Sequence, residues 1–357
     1  MKKIDATLLV VVVFLTIFGF FMIYGVSSFV AFKDFSDKYY YVKDQFFWVL
    51  IGFAGLIFFT YFDYQKLYNL SLPLFFTAVL LLVLVFVPGI GLQFQGANRW
   101  INFGGFSMQP AEFVKLVLAI YLSAWFSRKE KGRLLAFLML LGLVLFLVLI
   151  QPDMGTAAVI LSEALAIYFL SGGNIFYFVL LLPILAVVGE FLIKLSPYRT
   201  ERLAAFLNVG QSIEKSSYHV KQILIALGSG GLMGVGIGNS IQKYAYLPET
   251  TTDSIFAVIA EEIGFVGAAV VIALFVFMIW RGFRIAVQVQ DKFGKLLASG
   301  ITTFLGVQAA INLGAVTVLF PLTGIPLPFI SYGGSALIVD LCAVGILLNI
   351  SRQSMKK

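Results

Sequence analysis

"SIFAVIAEEIGFVGAAVVIALFVFMIW", residues 254–280, decides the fold. Its apolar residues run on for longer than the roughly 20 that an α-helix needs to cross the hydrocarbon core of a bilayer. Only Glu261 and Glu262 interrupt them, and the stretch reads as a membrane span. The segment before it, "YLPETTTD" (246–253), is polar and leaves Asp253 at the mouth of a helix that belongs in lipid. Two explanations are open. An acid at a helix start is favoured as a cap and by the macrodipole, whereas an acid at membrane depth is a candidate for chemistry. Thr250, Thr251 and Thr252 are able to cap the same helix, which weakens the case for Asp253 as a cap alone.

The same pattern recurs along the chain. Of 357 residues, 60% are hydrophobic and 12% charged, a composition outside that of soluble domains. Ten apolar runs read as spans: 7–28, 46–62, 67–87, 109–127, 134–150, 154–171, 175–195, 253–280, 296–319 and 335–350. The expected fold is therefore an all-α polytopic membrane protein, with a single membrane domain over 1–357, since no internal repeat or low-complexity tail is present. "MKK" followed by an apolar run without a small-residue cleavage motif reads as a first span rather than a removed signal peptide. One cysteine, Cys342, and one histidine, His219, exclude a disulfide framework and multi-histidine or thiolate metal centres. The net charge of +7 calls for no nucleic-acid partner, because cations of membrane proteins collect on cytoplasmic loops. An even number of spans puts both termini on one side. With that side cytoplasmic, inner segments hold fourteen lysines and arginines, and the short outer loops hold four: Lys33, Lys38, Lys43 and Arg99. The expectation is cytoplasmic termini and a large extracytoplasmic loop, about 196–252, between the seventh and eighth spans.

Polar motifs then gather on the outer face. "GSGGLMGVGIGNS" (228–240) contains neither G-x-G-x-x-G nor a P-loop and follows no strand, so it is not a nucleotide site. Its glycines suit a re-entrant segment packed closely on helices, or amide contacts to a phosphate-bearing ligand. Glu112 and Lys115 share one helix face, as a neutralising pair or as functional charges. Arg99 offers a donor fork for a phosphate or diphosphate, or snorkels to head groups. Asp153 stands where a helix cap is expected, and Glu163, Glu190 and Asp340 read as interhelical hydrogen-bonding groups. An outer cavity holding Asp253 with Arg99 and Lys115 would join a carboxylate base to cations for an anionic leaving group, a layout for transferring a group away from a phosphate.

Five blocks carry a resemblance: "GANRWI" (96–101), "QPAEFVKL" (109–116), "QPDMGTA" (151–157), "GSGGLMGVGIGNSIQKYAYLPETTTDSIFAVIAEE" (228–262) and "TGIPLPFISYGGS" (323–335). In this order they resemble the SEDS family of cell-wall polymerases, named for shape, elongation, division and sporulation, whose members include RodA, FtsW and SpoVE. The resemblance spans nearly the whole chain, and "NSIQKYAYLPE" is nearer the FtsW and SpoVE branch than RodA. It implies ten helices with cytoplasmic ends in the bacterial cytoplasmic membrane, and an extracytoplasmic active site that polymerises glycan strands from lipid II. The implied partners are a class B penicillin-binding protein and other membrane proteins of the divisome or elongasome. By this resemblance Asp253 is the catalytic acid, and Arg99 and Lys115 stabilise the departing diphosphate. Glu112, Asp153, Lys243 and Ser331 are further candidate substrate-binding residues within the blocks. The candidate cofactor is a divalent cation, magnesium or manganese, with Asp253 as its candidate ligand and no organic cofactor. Departures from the family pattern are Ser254, where phenylalanine usually follows the acid, Ala111 and Ala336. Two competing functions, a lipid II flippase and a division scaffold, are less well matched: a flippase needs polar residues through the membrane depth, and a scaffold leaves the charges unexplained.

Overall fold

Hydrocarbon offers no hydrogen bonds, so a spanning segment must satisfy its backbone within itself. In the computed structural model the apolar runs accordingly form helices, and the structure describes residues 4–94, 97–102, 104, 106–128, 133–174, 217–244 and 247–354, with isolated positions between 176 and 207. The helices are α1 (Ala6–Phe35), α2 (Tyr40–Tyr61), α3 (Gln65–Leu84), α4 (Pro110–Ser127), α5 (Leu134–Ile150), α6 (Met154–Leu170), α7 (Tyr218–Ser229), α8 (Ile255–Gln288), α9 (Lys292–Val316) and α10 (Gly334–Ser354). Seven of them are long and apolar enough to cross a membrane, and α5 and α6 are shorter apolar helices. These nine coincide with nine of the ten spans expected; the other, 175–195, lies largely outside the described residues. Helices α4, α9 and α10 are mostly buried, whereas α2, α3 and α8 present rows of large apolar side chains outward, among them Phe46, Phe58, Phe76 and Val276. The molecule is thus a polytopic helical bundle with a lipid-facing shell around a central trio.

One addition to the all-helical expectation lies between α3 and α4. Strands β1 (Gly91–Phe94), β2 (Ala97–Asn102) and β3 (Ser107–Met108) form a small antiparallel sheet in the order β1-β2-β3. Its strands are too short to show a period-two pattern in the sequence, and β2 carries Arg99.

At one end of the bundle Asp5 caps α1 through Leu8 N (3.0 Å) and pairs with Arg281 of α8 at 2.5 Å. Tyr64 Oη donates to Asp291, the cap of α9, at 2.5 Å, and Asn349 of α10 binds both Tyr64 N and Thr60 O. The motif-bearing loops lie at the opposite end, where Tyr332 Oη donates to Asp44 at 2.6 Å.

The expected span at 253–280 is corrected in one respect: α8 is broken. Gly264 has φ +70° and ψ −174°, outside the helical region, so residues 255–263 form a short leading segment. Phe265–Gln288 is the membrane-crossing part, rising roughly 36 Å at helical pitch. A break strands carbonyls and amides on either side, and the glycine-rich loop supplies their partners. Val235 N and Gly236 N donate to the carbonyls of Glu261 and Glu262 (both 3.0 Å), while Phe265 N and Val266 N donate to those of Gly231 (2.9 Å) and Leu232 (3.2 Å). Side chains reinforce the clamp: Glu261 accepts from Ser240 Oγ and from Ile241 N, and Lys243 binds Glu262 at 3.4 Å and the Gly238 carbonyl. The loop's main chain thus packs directly against the helix at the break.

A Cβ on Gly264 would meet Gly234 N at 2.3 Å in addition to being strained by its φ. Gly264→Ala is therefore expected to lower the melting temperature in detergent, by the equivalent of about 1–3 kcal/mol. Gly25→Ala, whose new methyl would meet nothing within 4 Å, is expected to leave it unchanged or raised.

Candidate functional site

The turn that carries Asp253 is folded around one carbonyl and pinned by three others. Glu249, itself at φ 50°, receives at its carbonyl the amides of Thr252 (3.2 Å) and Ser254 (3.3 Å) and the Thr252 hydroxyl (3.3 Å). The carbonyls of Thr251, Thr252 and Asp253 are each held from outside. Tyr332 N donates to the first (2.8 Å), Ser331 Oγ to the second (2.5 Å) and Asn312 Nδ2 of α9 to the third (2.9 Å). Ser331 Oγ also accepts from Leu327 N at 2.8 Å, and Asn312 Nδ2 also binds the Ile325 carbonyl at 2.8 Å. Ser331 therefore positions the turn by its hydroxyl. The capping reading is corrected here: Ser254 is the N-cap of α8 and no side chain caps it, neither Asp253 nor the threonines.

Freed from capping, the Asp253 carboxyl is 5% exposed, and its Oδ2 is buried without a hydrogen-bond partner. Burial, and next the Glu249 carboxyl four residues earlier, push its pKa up to about 8, opposed by Arg202. Arg202 donates to the Leu322 carbonyl at 2.8 Å and, like Asp253 Oδ2, lies within 4.0 Å of the Cβ position of Gly324. That glycine has φ +73° and so turns the chain between acid and arginine. On the other side, His219 Nε2 lies 2.8 Å from Ser254 Oγ, which is 3.5 Å from Asp253 Oδ1.

The remaining expected residues fall into neighbouring clusters joined by the 322–335 loop. Arg99 spends donors on the carbonyls of Gln151 (3.0 Å) and Pro152 (2.6 Å) at the start of α6. Asp153 caps that helix through Thr156 N at 3.0 Å and accepts from Gln109 Nε2 at 3.0 Å, while Gln109 N donates to Ser335 Oγ at 3.1 Å. Lys115 is only 1% exposed. It pairs with Glu112 at 2.7 Å and donates to Gln308, whose Nε2 reaches the Pro326 carbonyl at 3.1 Å. Among the described residues the cation whose charge reaches Asp253 is thus Arg202; Arg99 holds the start of α6, and Lys115 supports the loop through Gln308. Lys243 belongs to the clamp on Glu262.

The donor set around Asp253 is a poor fit for a resident divalent cation. Among the described residues no group of three histidine, cysteine or carboxylate side chains converges on a metal position, and an arginine stands beside the acid.

Four contributors were not assigned from sequence. Glu249 lies inside the quoted "YLPETTTD", and Asn312 is an amide in an apolar span, which is itself a signal. Arg202 and His219 sit in the long loop segment, where nothing in the spacing ties them to Asp253.

The whole chain has known relatives. The cell cycle protein family of FtsW, RodA and SpoVE matches residues 5–356. The probable peptidoglycan glycosyltransferase FtsW of Trichlorobacter lovleyi is 40% identical over 357 residues, covering 98% of this chain and 94% of that protein. Stage V sporulation protein E of Bacillus subtilis is 39% identical over 358 residues, covering 98% and 97%. Among solved structures, a chain from a peptidoglycan synthase complex that coordinates polymerization and crosslinking superposes with a TM-score of 0.80 at 26% identity over 100% of both chains. The rod shape determining protein RodA of Thermus thermophilus gives 0.73 at 26% identity over 99% of both.

The raised pKa of Asp253 sets a pH dependence. A reaction that uses its carboxylate as a base should accelerate as pH rises through about 8, because only the deprotonated form accepts a proton. Glu249→Gln removes the adjacent repulsion and is expected to move this limb to lower pH, and Arg202→Ala to higher pH, as read from rate–pH profiles.

Proposed function

Because the chain belongs to the FtsW, RodA and SpoVE family of cell cycle proteins, we infer that the turn at Asp253 is the active centre of a glycosyl transfer. The chain is a peptidoglycan glycosyltransferase. Its FtsW and SpoVE relatives share 40% and 39% identity with it, in line with the branch suggested by "NSIQKYAYLPE". The substrate is lipid II, a disaccharide-peptide on undecaprenyl diphosphate, used both as donor and as acceptor. Asp253 takes the proton of the acceptor's GlcNAc 4-hydroxyl, and that oxygen attacks the anomeric carbon of the donor MurNAc. The configuration inverts from α to β, and undecaprenyl diphosphate leaves.

The observation that carries this assignment is a buried carboxyl with an unbonded oxygen, Asp253 Oδ2, beside an arginine. A buried acid that caps no helix and keeps one oxygen unbonded is poised to exchange a proton with a ligand. Arg202 supplies positive charge for the developing diphosphate, and Arg99 adds its charge at the start of α6. Lys115 and Glu112 act from behind, through Gln308, by holding the Pro326 carbonyl. Asp153 holds Gln109 and the start of α6. A magnesium or manganese ion carried on the diphosphate would neutralise part of the leaving group.

The bundle lies in the bacterial cytoplasmic membrane with its termini and the Asp5–Arg281 end in the cytoplasm and the Asp253 end outside. The charge asymmetry of the loops supports this orientation. A class B penicillin-binding protein is the partner, and other divisome or elongasome proteins join it.

Purified protein with its cognate class B penicillin-binding protein, lipid II and a divalent cation is expected to make glycan strands visible on a gel. Asp253→Ala should lower the rate by at least about 100-fold. Unchanged polymer from that variant would remove Asp253 from the chemistry, and translocation of lipid II by the protein alone in liposomes would favour a transporter.

A further inference from the structure

A proton taken by Asp253 needs a way out. The carboxyl is 5% exposed, and Ser254 beside it is fully buried. Burial and the neighbouring Glu249 raise the pKa of the carboxyl above the ordinary carboxylate range, which favours retention of a proton once it is taken. Each transfer leaves a proton on Asp253, so the site must shed one proton per cycle before the base can act again.

Among the described residues a chain of polar groups leads from this buried point toward the surface. Ser254 Oγ stands between Asp253 Oδ1 at 3.5 Å and His219 Nε2 at 2.8 Å. The first separation is long for a hydrogen bond, and catalytic hydrogen bonds in unliganded sites tighten when substrate fills them. His219 sits in the first turn of α7, half-buried, with exposed Ser217 and Tyr218 immediately before it in the chain. It spans the distance between a buried hydroxyl and the outside. Burial lowers the pKa of its imidazole, leaving the ring neutral at neutral pH and its Nε2 able to accept. The charged groups that face it are Glu249, which favours the protonated ring, and Arg202, which opposes it.

We propose that Ser254 and His219 form a proton relay that discharges Asp253 to solvent. The proposal rests on the reading of Asp253 as the base. In the relay step the Asp253 O–H gives its proton to Ser254 Oγ while the Ser254 hydroxyl proton passes to His219 Nε2. Aspartate and imidazolium result, and the imidazolium releases a proton to water. Only O–H and N–H bonds form or break, and no oxidant or further reactant is needed. The transfer to His219 is uphill at rest, so the imidazolium is transient, and Glu249, which faces both ends, favours it. His219 and Ser254 are relay residues, distinct from the groups that touch the sugar. The other group near Asp253 able to carry the proton outward is Glu249, which is also half-buried.

The test uses the full chain with its penicillin-binding partner and lipid II. His219→Ala and Ser254→Ala are each expected to lower kcat about tenfold at neutral pH, with KM for lipid II and the melting temperature unchanged. The double variant should be no slower than either single one, because both interrupt the same path. The solvent deuterium isotope effect should grow in His219→Ala, and added imidazole should restore its rate. Wild-type kcat and isotope effect in both single variants, with Asp253→Asn inactive, would overturn the relay and leave the base assignment standing. Loss confined to Glu249→Gln would overturn it in favour of the glutamate. An active Asp253→Asn would overturn the base assignment itself.

Discussion

Hydrogen bonds from Tyr332, Ser331 and Asn312 to three successive carbonyls, Thr251, Thr252 and Asp253, are the constraint on which the site depends. They fix the main chain of the acid-bearing turn without using its side chains, so the Asp253 carboxyl is left over for another purpose. The donors come from one loop and one helix. That loop, 322–335, also receives Arg202 at Leu322, Lys115 through Gln308 at Pro326, and Gln109 at Ser335. The motif-bearing segments meet at this loop rather than at one another.

The electrostatic arrangement follows from that geometry. A buried carboxyl is costly to ionise unless it is paired or well hydrogen-bonded. Arg99, Asp153, Lys115 and Glu112 are each satisfied locally, by carbonyls, an amide cap or each other. Asp253 Oδ2 is not; the neighbours of this carboxyl are one arginine, Arg202, and a second carboxyl, Glu249. Glu163 in α6 and Asp340 in α10 are also buried without hydrogen-bond partners, contrary to the interhelical bonds expected of them, and Asp253 is set apart from them by its place in the turn beside Arg202.

Much of the fold was legible because lipid imposes a length and a polarity on every span. Nine apolar runs became helices close to the expected bounds. The break at Gly264 was not legible, since a single glycine within an apolar run is as common in an unbroken helix. The sheet bearing Arg99 was hidden by short strands. At the site, motif blocks pointed to Asp253, Arg99 and Lys115 singly, but spacing says nothing of which cation faces which acid across 50 or more residues of chain. Arg202 emerged as the neighbour of Asp253 only when Gly324 brought the two together. The threonines, which suggested redundant caps, turned out to offer carbonyls instead.

The elbow in α8 has a consequence for how the chain is made. Four main-chain groups at the break would face hydrocarbon or the protein interior unpaired if α8 entered the membrane alone. Their partners, Gly231 to Gly236, precede α8 in the sequence and are translated first. The loop is thus already present outside the ribosome when the helix that needs it emerges, and it can dock as α8 partitions from the translocon. Synthesis from the N-terminus delivers the cover before the defect, and a circular permutation that reversed this order would expose the break during insertion.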